Sequence, residues 1–290
     1  MKKFFACLLC LVIAGITCAS SLFAQSSKKN KKPLVVFVTG DHEYSSEETM
    51  PLIAAALEKD YGMKTIVLKA SPDYNSEENI PGLEVLKKAD LAVFFLRWRR
   101  LPPEQLAYID TYLKSGKPVM GFRTTTHAFH FPEGDASEKW NAFGEFALNA
   151  PPGWGGAAKH THYGHESSTD VSIIPAQAAN PILTGVAGNF HVRSWLYRVL
   201  PDYPVKGSTW LLMGKAVNPD KEAIENPVAW TGNNTFGGRV FMTTMGHPED
   251  FTQEPFQRLV INAVHYELGL KVPKKWKGKI NIQVPYRVAK

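Results

Sequence analysis

Residues 117–129 read KPVMGFRTTTHAF, and the fold turns on how that stretch is read. KPVMGF has the look of a buried parallel strand, a short apolar run that goes straight into a sharp turn. In many α/β hydrolytic enzymes such a turn presents a Ser or Cys nucleophile at the strand's carboxyl end. Here the turn offers Arg123, three threonines and His127 instead.

Working outward, the same alternation of β-branched apolar runs and helical patterns recurs. LVVFV at 34–38, KTIVL at 64–68 and DLAVFFL at 90–96 read as strands. Leu52, Ile53, Ala56 and Leu57 show helical spacing between the first two, and Pro103 opens a helix that SGKP stops. VSII, TWLLM, NPVAW and GRVFMTTM supply later strands. A closing helix runs from about Gln253 to Glu267, with Phe256, Leu259, Val260 and Val264 on one face. The pattern predicts one α/β domain with a mostly parallel, flavodoxin-like sheet and helices on both faces. Between Thr124 and about Ser168 the chain is rich in Gly, His and aromatic residues, with one helix near Trp140 to Leu148. A connection that long is usually functional.

The first 24 residues read as a signal peptide: a basic start, an apolar run from Phe4 to about Ala19, then small residues around Ala24. The expected product is cleaved and periplasmic or secreted, with an uncleaved anchor as the alternative. No transmembrane helix is expected after cleavage. Residues 25–33 form a basic linker, 34–270 the domain and 271–290 a basic tail read as flexible and solvated. All three cysteines (Cys7, Cys10 and Cys18) fall in the export segment. Disulfides and thiolate nucleophiles are thereby excluded from the mature chain. Alkylating reagents should leave its activity intact, and an activity lost to iodoacetamide would contradict this. The net charge of +6 is carried by the ends: all 27 acidic residues lie between Leu34 and Leu270, so the domain itself is net acidic. That makes it a poor reader of nucleic acid.

The order of VTGDHEY (38–44), GFRTTTHAF (121–129), GG (155–156), NPILTGV, LYRVLP and GRVFMTTMGH resembles the trehalose-utilisation (ThuA-like) family over about Pro33 to Leu270. That family is a branch of the class I glutamine amidotransferase-like fold. The resemblance implies a Gly-x-Cys nucleophile turn and a late His-Pro-Glu in the ancestral scaffold. This chain keeps His247, Pro248 and Glu249 but has Arg123 where the cysteine would align. Arginine has no lone pair to donate, so thioester glutaminase chemistry is ruled out. The resemblance also implies a sugar or oxidised sugar as ligand, handled by a hydrolase or isomerase; the alternative is a non-catalytic ligand-binding module on the same scaffold.

Several residues are candidates for the site, each with a plainer reading beside it. His247 would be an acid/base oriented by Glu249, or both persist only for turn geometry. His42 and Glu43, with Asp41 in reserve, would hold sugar hydroxyls or a metal, or cap the following helix. Arg123 would grip an oxygen-rich ligand with His127 beside it, or make an internal salt bridge. His160, His162 and His165 form the densest imidazole cluster and would hold a divalent metal such as Zn if one is used. His165 best matches the family's histidine after its Gly-Gly pair. Ser194 and Trp195 stand where relatives carry acids, so Trp195 and Tyr197 offer an aromatic face for a sugar, or core packing. In RWRR at 97–100, Arg97 would reach the rim while Arg99 and Arg100 are solvated. His42, Arg123, His165 and His247 are expected around one cavity, and the oligomeric state is left open.

Overall fold

The computed structural model describes residues 31–287; the export segment and most of the basic linker lie outside them. In chain order come β1 (Leu34–Gly40), α1 (Ser46–Tyr61), β2 (Lys64–Leu68), β3 (Leu91–Leu96), α2 (Pro103–Lys114) and β4 (Val119–Phe122). Next are α3 (Phe143–Leu148), β5 (Thr161–His162), β6 (Ser168–Ile173), β7 (Asn189–Val192) and β8 (Tyr197–Arg198). The last are β9 (Thr209–Val217), β10 (Asn226–Asn233), β11 (Arg239–Thr243) and α4 (Glu254–Glu267).

Nine strands form one sheet in the order β2-β1-β3-β4-β11-β10-β9-β6-β7. From β2 to β11 neighbouring strands are parallel. β10, β9, β6 and β7 extend that sheet by antiparallel pairings. The parallel half is buried on both faces, which is why LAVFFL is apolar at every position. Side chains alternate across it: Val35 and Phe37 join the core under α1 and α4, while Val36 and Val38 join the core under α2 and α3. Gly121 sets one helix distance, since a Cβ there would lie 2.6 Å from Leu148 of α3 and 2.7 Å from the Met242 sulfur.

Two elements differ from the sequence reading. The long connection contributes β5, which pairs with β8 in a separate two-stranded ribbon. The segment after α4 is no flexible tail. The Gln257 side chain on α4 holds Ile280 by two 2.8 Å hydrogen bonds, donating to its carbonyl and accepting from its amide. Ile282 is buried, and Arg287 forms ion pairs with Glu47 and Glu48 at the start of α1. The lysines masked a period-two pattern: Ile280, Ile282 and Val284 face the body while Asn281 and Gln283 are exposed.

Candidate functional site

In a parallel sheet of order 2-1-3-4 the connections leave β1 in opposite directions, so the crevice opens between the carboxyl ends of β1 and β3. The loops after those strands carry His42, Glu43, Arg97 and Arg99. His42 Nε2 lies 2.8 Å from Arg97 Nη1 and its Nδ1 2.7 Å from Arg99 Nη2. Burial, then Arg99 and Arg97, push its pKa down to about 3. A neutral imidazole accepts only one hydrogen bond, so both nitrogens are committed to an arginine pair that can satisfy only one of them. Glu43 pairs with Arg97 at 3.0 Å. The expected role of His42 and Glu43 as free ligand contacts is therefore corrected: in this arrangement they bind the β3 loop. Asp41 does the capping, its carboxylate accepting amides from Glu43, Tyr44 and Ser46. Arg99, expected in solvent, is wholly buried, its remaining donors on the carbonyls of Arg97 and Ser76.

Arg123 follows β4 directly, with φ 41°, the left-handed turn geometry of a nucleophile elbow without the nucleophile. Its side chain is fully buried rather than open to a ligand. The guanidinium carbon sits 4.5 Å from the Tyr44 ring centre and 4.6 Å from those of Trp195 and Tyr197. Nη1 donates to the carbonyls of Thr244, at 2.9 Å, and Trp195, at 3.3 Å. Nε and Nη2 have no well-formed hydrogen bond, with the Tyr44 hydroxyl standing near enough to help hold the charge. The plainer reading of an internal salt bridge also fails: among the described residues no carboxylate pairs with Arg123. Cation–π attraction from three rings holds the charge instead.

His247 lies at the carboxyl end of β11, as expected, but Glu249 does not orient it. The Glu249 side chain is exposed, and the bond between the two is the Glu249 backbone amide donating to His247 Nδ1 at 3.2 Å. Asp250, one residue on, is the buried carboxylate. It accepts from the amides of Ser194, Gly246 and His247 and from the Ser194 hydroxyl. Burial raises its pKa against those bonds. Burial, with Arg123 and Arg193, lowers the His247 pKa to about 3. With Nδ1 accepting, the proton of the neutral ring sits on Nε2, which makes His247 a donor at neutral pH rather than a base. The spacing of His247 to Asp250, N-cap to N3 of a helical turn, is the signal that the sequence offered for this carboxylate.

The imidazoles of the long connection divide. His160 is buried, its Nδ1 on the Gly153 carbonyl at 3.1 Å and its Nε2 without a partner. His162 Nδ1 accepts from the Gly164 amide at 3.0 Å, and His165 stacks edge-on against both His162 and Trp195. Burial brings His160 to about 3 and His162 to about 4. Among the described residues no three His, Cys, Asp or Glu side chains gather around a point that would hold a metal. The three imidazoles expected for Zn do not gather in this arrangement: His162 and His165 lie 4.2 Å apart ring to ring, while His160 packs against Trp154 and Tyr197.

Three of the four rim residues, Arg123, His165 and His247, do converge on Trp195, while His42 faces the arginine pair. The indole fills the space between them, and the open cleft lies beside this cluster. It measures about 300 Å³ and is lined by Trp98, His127, Phe129, His130, Asn141 and Trp154 with the glycines of 153–156. The His127 ring lies 4.5 Å from Trp154 and its Nδ1 2.8 Å from the Thr126 hydroxyl. Tyr197 backs the wall, 4.9 Å from Trp154, and carries a phenol pushed up to about 12 by burial. A larger depression of about 590 Å³ beside Arg100 is polar and lacks any aromatic wall.

The family profile described as ThuA, trehalose utilisation, matches residues 34–267. No curated protein matches. A solved ThuA-like protein of Parabacteroides merdae ATCC 43184 superposes with a TM-score of 0.64 at 16% identity, over 89% of this chain and 98% of that one. One from Bacteroides uniformis ATCC 8492 gives 0.54 at 15%, over 82% and 92%. At such identities the likeness carries the fold alone. The family rests on the profile, which spans the sheet from β1 to α4: the chain belongs to the ThuA, or trehalose-utilisation, family.

Proposed function

We propose that this chain is a carbohydrate-recognising protein whose ligand occupies the cleft between Trp98 and Trp154. The observation that supports this most is the lining itself: two indoles, His127, His130 and Asn141 around about 300 Å³. Aromatic faces stack on the apolar face of a sugar ring, and a few imidazole and amide groups fix its hydroxyls. Trehalose utilisation in the family's description points the same way. Recognition is favoured over hydrolysis because no nucleophile stands on the β4 turn and the His247–Glu249 pair is not formed. A sugar-transforming reading keeps one support, the unpartnered Nε2 of buried His160, 4.6 Å from Trp154 ring to ring. The N-terminal segment supports a place outside the cytoplasm for this activity.

Calorimetric titration with glucose, trehalose and glucuronate tests the cleft. Saturable binding of at least one sugar is expected, weakened about tenfold or more by Trp154→Ala, which corresponds to about 1.4 kcal/mol. His160→Gln should spare binding. Sugar binding that survives Trp154→Ala unchanged would move the site elsewhere.

A further inference from the structure

The segment after α4 ends its described course over the rim. Tyr286 stacks on His247 with ring centres 4.5 Å apart, and lies 5.8 Å from Tyr44 and 6.2 Å from Trp195. These three rings, tilted or edge-on to Tyr286, line a slot for one ring, and Tyr286 fills it. Two of them, Tyr44 and Trp195, also clasp Arg123.

The guanidinium beside this slot is short of acceptors. Arg123 is fully buried, pairs with no carboxylate among the described residues, and has no well-formed hydrogen bond at Nε or Nη2, where the Tyr44 hydroxyl is the neighbouring oxygen. Arg193 adds a second cation 5.6 Å from the Trp195 ring, with donors on the carbonyls of Ser167 and His165. His247 is neutral, and its Nε2 carries the ring proton as a donor. Two buried carboxylates lie close by and both are engaged: Asp250, whose charge acts on Arg123 without touching it, accepts four hydrogen bonds, and Glu43 pairs with Arg97. Guanidinium N–H groups buried without an acceptor are costly. An anionic oxygen group beside them would supply one. A phenol, whose proton burial retains, supplies no charge.

The occupant is also held in a way that permits release. Arg287, next to Tyr286, clamps the segment to Glu47 and Glu48 through ion pairs at a surface that solvent reaches, and such pairs contribute little net stability. Ser45 Oγ adds one hydrogen bond to the Pro285 carbonyl at 3.0 Å. The firm anchors, Ile282 and the Gln257–Ile280 pair, lie upstream and need not move.

We propose that the Tyr44–Trp195–His247 slot is a second ligand site, distinct from the cleft, for a ring bearing a carboxylate, and that Tyr286 occupies it until the ligand displaces it. The ring would stack where Tyr286 now stacks, with its carboxylate turned toward Arg123 and the His247 Nε2–H. An aromatic acid and a uronic acid share this chemistry.

The test titrates the whole chain and its Tyr286→Ala variant with benzoate, glucuronate and their neutral mates benzamide and glucose, in a Trp154→Ala background to silence the cleft. Benzoate or glucuronate should bind Tyr286→Ala at least tenfold tighter than the chain with Tyr286 in place, and shift the His247 ring resonances. Which acid binds identifies the ring. The neutral mates should bind at least tenfold more weakly. Equal binding of acid and neutral mate would reduce the slot to a hole left by the missing phenol and overturn the proposal. Failure of both acids to bind a folded Tyr286→Ala would overturn it as well. If that variant does not fold, Arg287→Glu, repelled by Glu47 and Glu48, takes its place. There, acid binding should tighten relative to the unaltered clamp, and no gain refutes the slot.

Discussion

Glu267→Gln should raise the thermal midpoint by roughly 10 °C at pH 9 and leave it nearly unchanged at pH 4. Glu267 closes α4 at the opposite end of the sheet from the rim. Its side chain is fully buried, and neither oxygen has a well-formed hydrogen bond, the Thr231 hydroxyl only lying near enough to pull the pKa down a little. Arg239, half in solvent, approaches only to 4.0 Å and spends Nη2 on the Glu267 carbonyl. Burial raises the carboxyl pKa from 4.5 to about 8, against the pull of Arg239. The carbonyl end of the helix disfavours a negative charge as well. Because the folded pKa lies above the unfolded one, the native state holds the extra proton between them. The associated stability is complete below about pH 4.5 and drains away as pH rises to about 8. A shift of that size corresponds to roughly 4–5 kcal/mol. The neutral amide escapes the loss, so the two proteins should diverge with pH. A gap that stays constant from pH 4 to 9 would mean that Glu267 titrates normally.

The second large effect is expected at Asp250. Asp250→Ala removes the acceptor of four hydrogen bonds: the Ser194 amide and hydroxyl lose their acceptor, and the amides of Gly246 and His247 keep only the Ser194 Oγ at 3.2 and 3.1 Å. Each stranded donor costs about 1–3 kcal/mol, so a loss of about 3–5 kcal/mol is expected, as for breaking a buried charged network. Glu249→Ala, one residue away and exposed, should change stability by less than about 0.5 kcal/mol. Chemical denaturation of the two variants decides which carboxylate holds the His247 turn. A costly Glu249→Ala beside a mild Asp250→Ala would mean that Glu249 holds the turn instead.

That pair also shows where sequence reading stopped. His-Pro-Glu is a familiar string, and the resemblance drew the reading to Glu249. Which of two adjacent acids turns inward depends on the helical phase of a five-residue turn (Pro248–Thr252), which no apolar periodicity marks. The parallel strands were legible because burial on both faces leaves uninterrupted apolar runs such as LAVFFL. β7 was not, because its four residues are largely exposed and a short edge strand needs little apolar character. Arg99 read as solvated since a charge beside two other arginines ordinarily is. Its burial depends on carbonyls of Arg97 and Ser76 that only the fold brings within reach. Of the site, the rim position of His42, Arg123 and His247 followed from strand order. The use of Arg123 as the centre of an aromatic cage did not, for Tyr44, Trp195 and Tyr197 come from distant stretches of chain.

The segment beyond α4 also bears on how the molecule could be shortened. It contributes no strand to the sheet, yet it ties itself back to Tyr44, Glu47 and Glu48 at the very first loop and helix. A chain ending after Glu267 would keep the nine strands and four helices and leave His247, Trp195 and the Tyr44 ring facing water. An uncovered aromatic patch of that kind is a surface through which folded molecules associate. The residues after α4 thus serve as a cover, and their loss is expected to show as self-association.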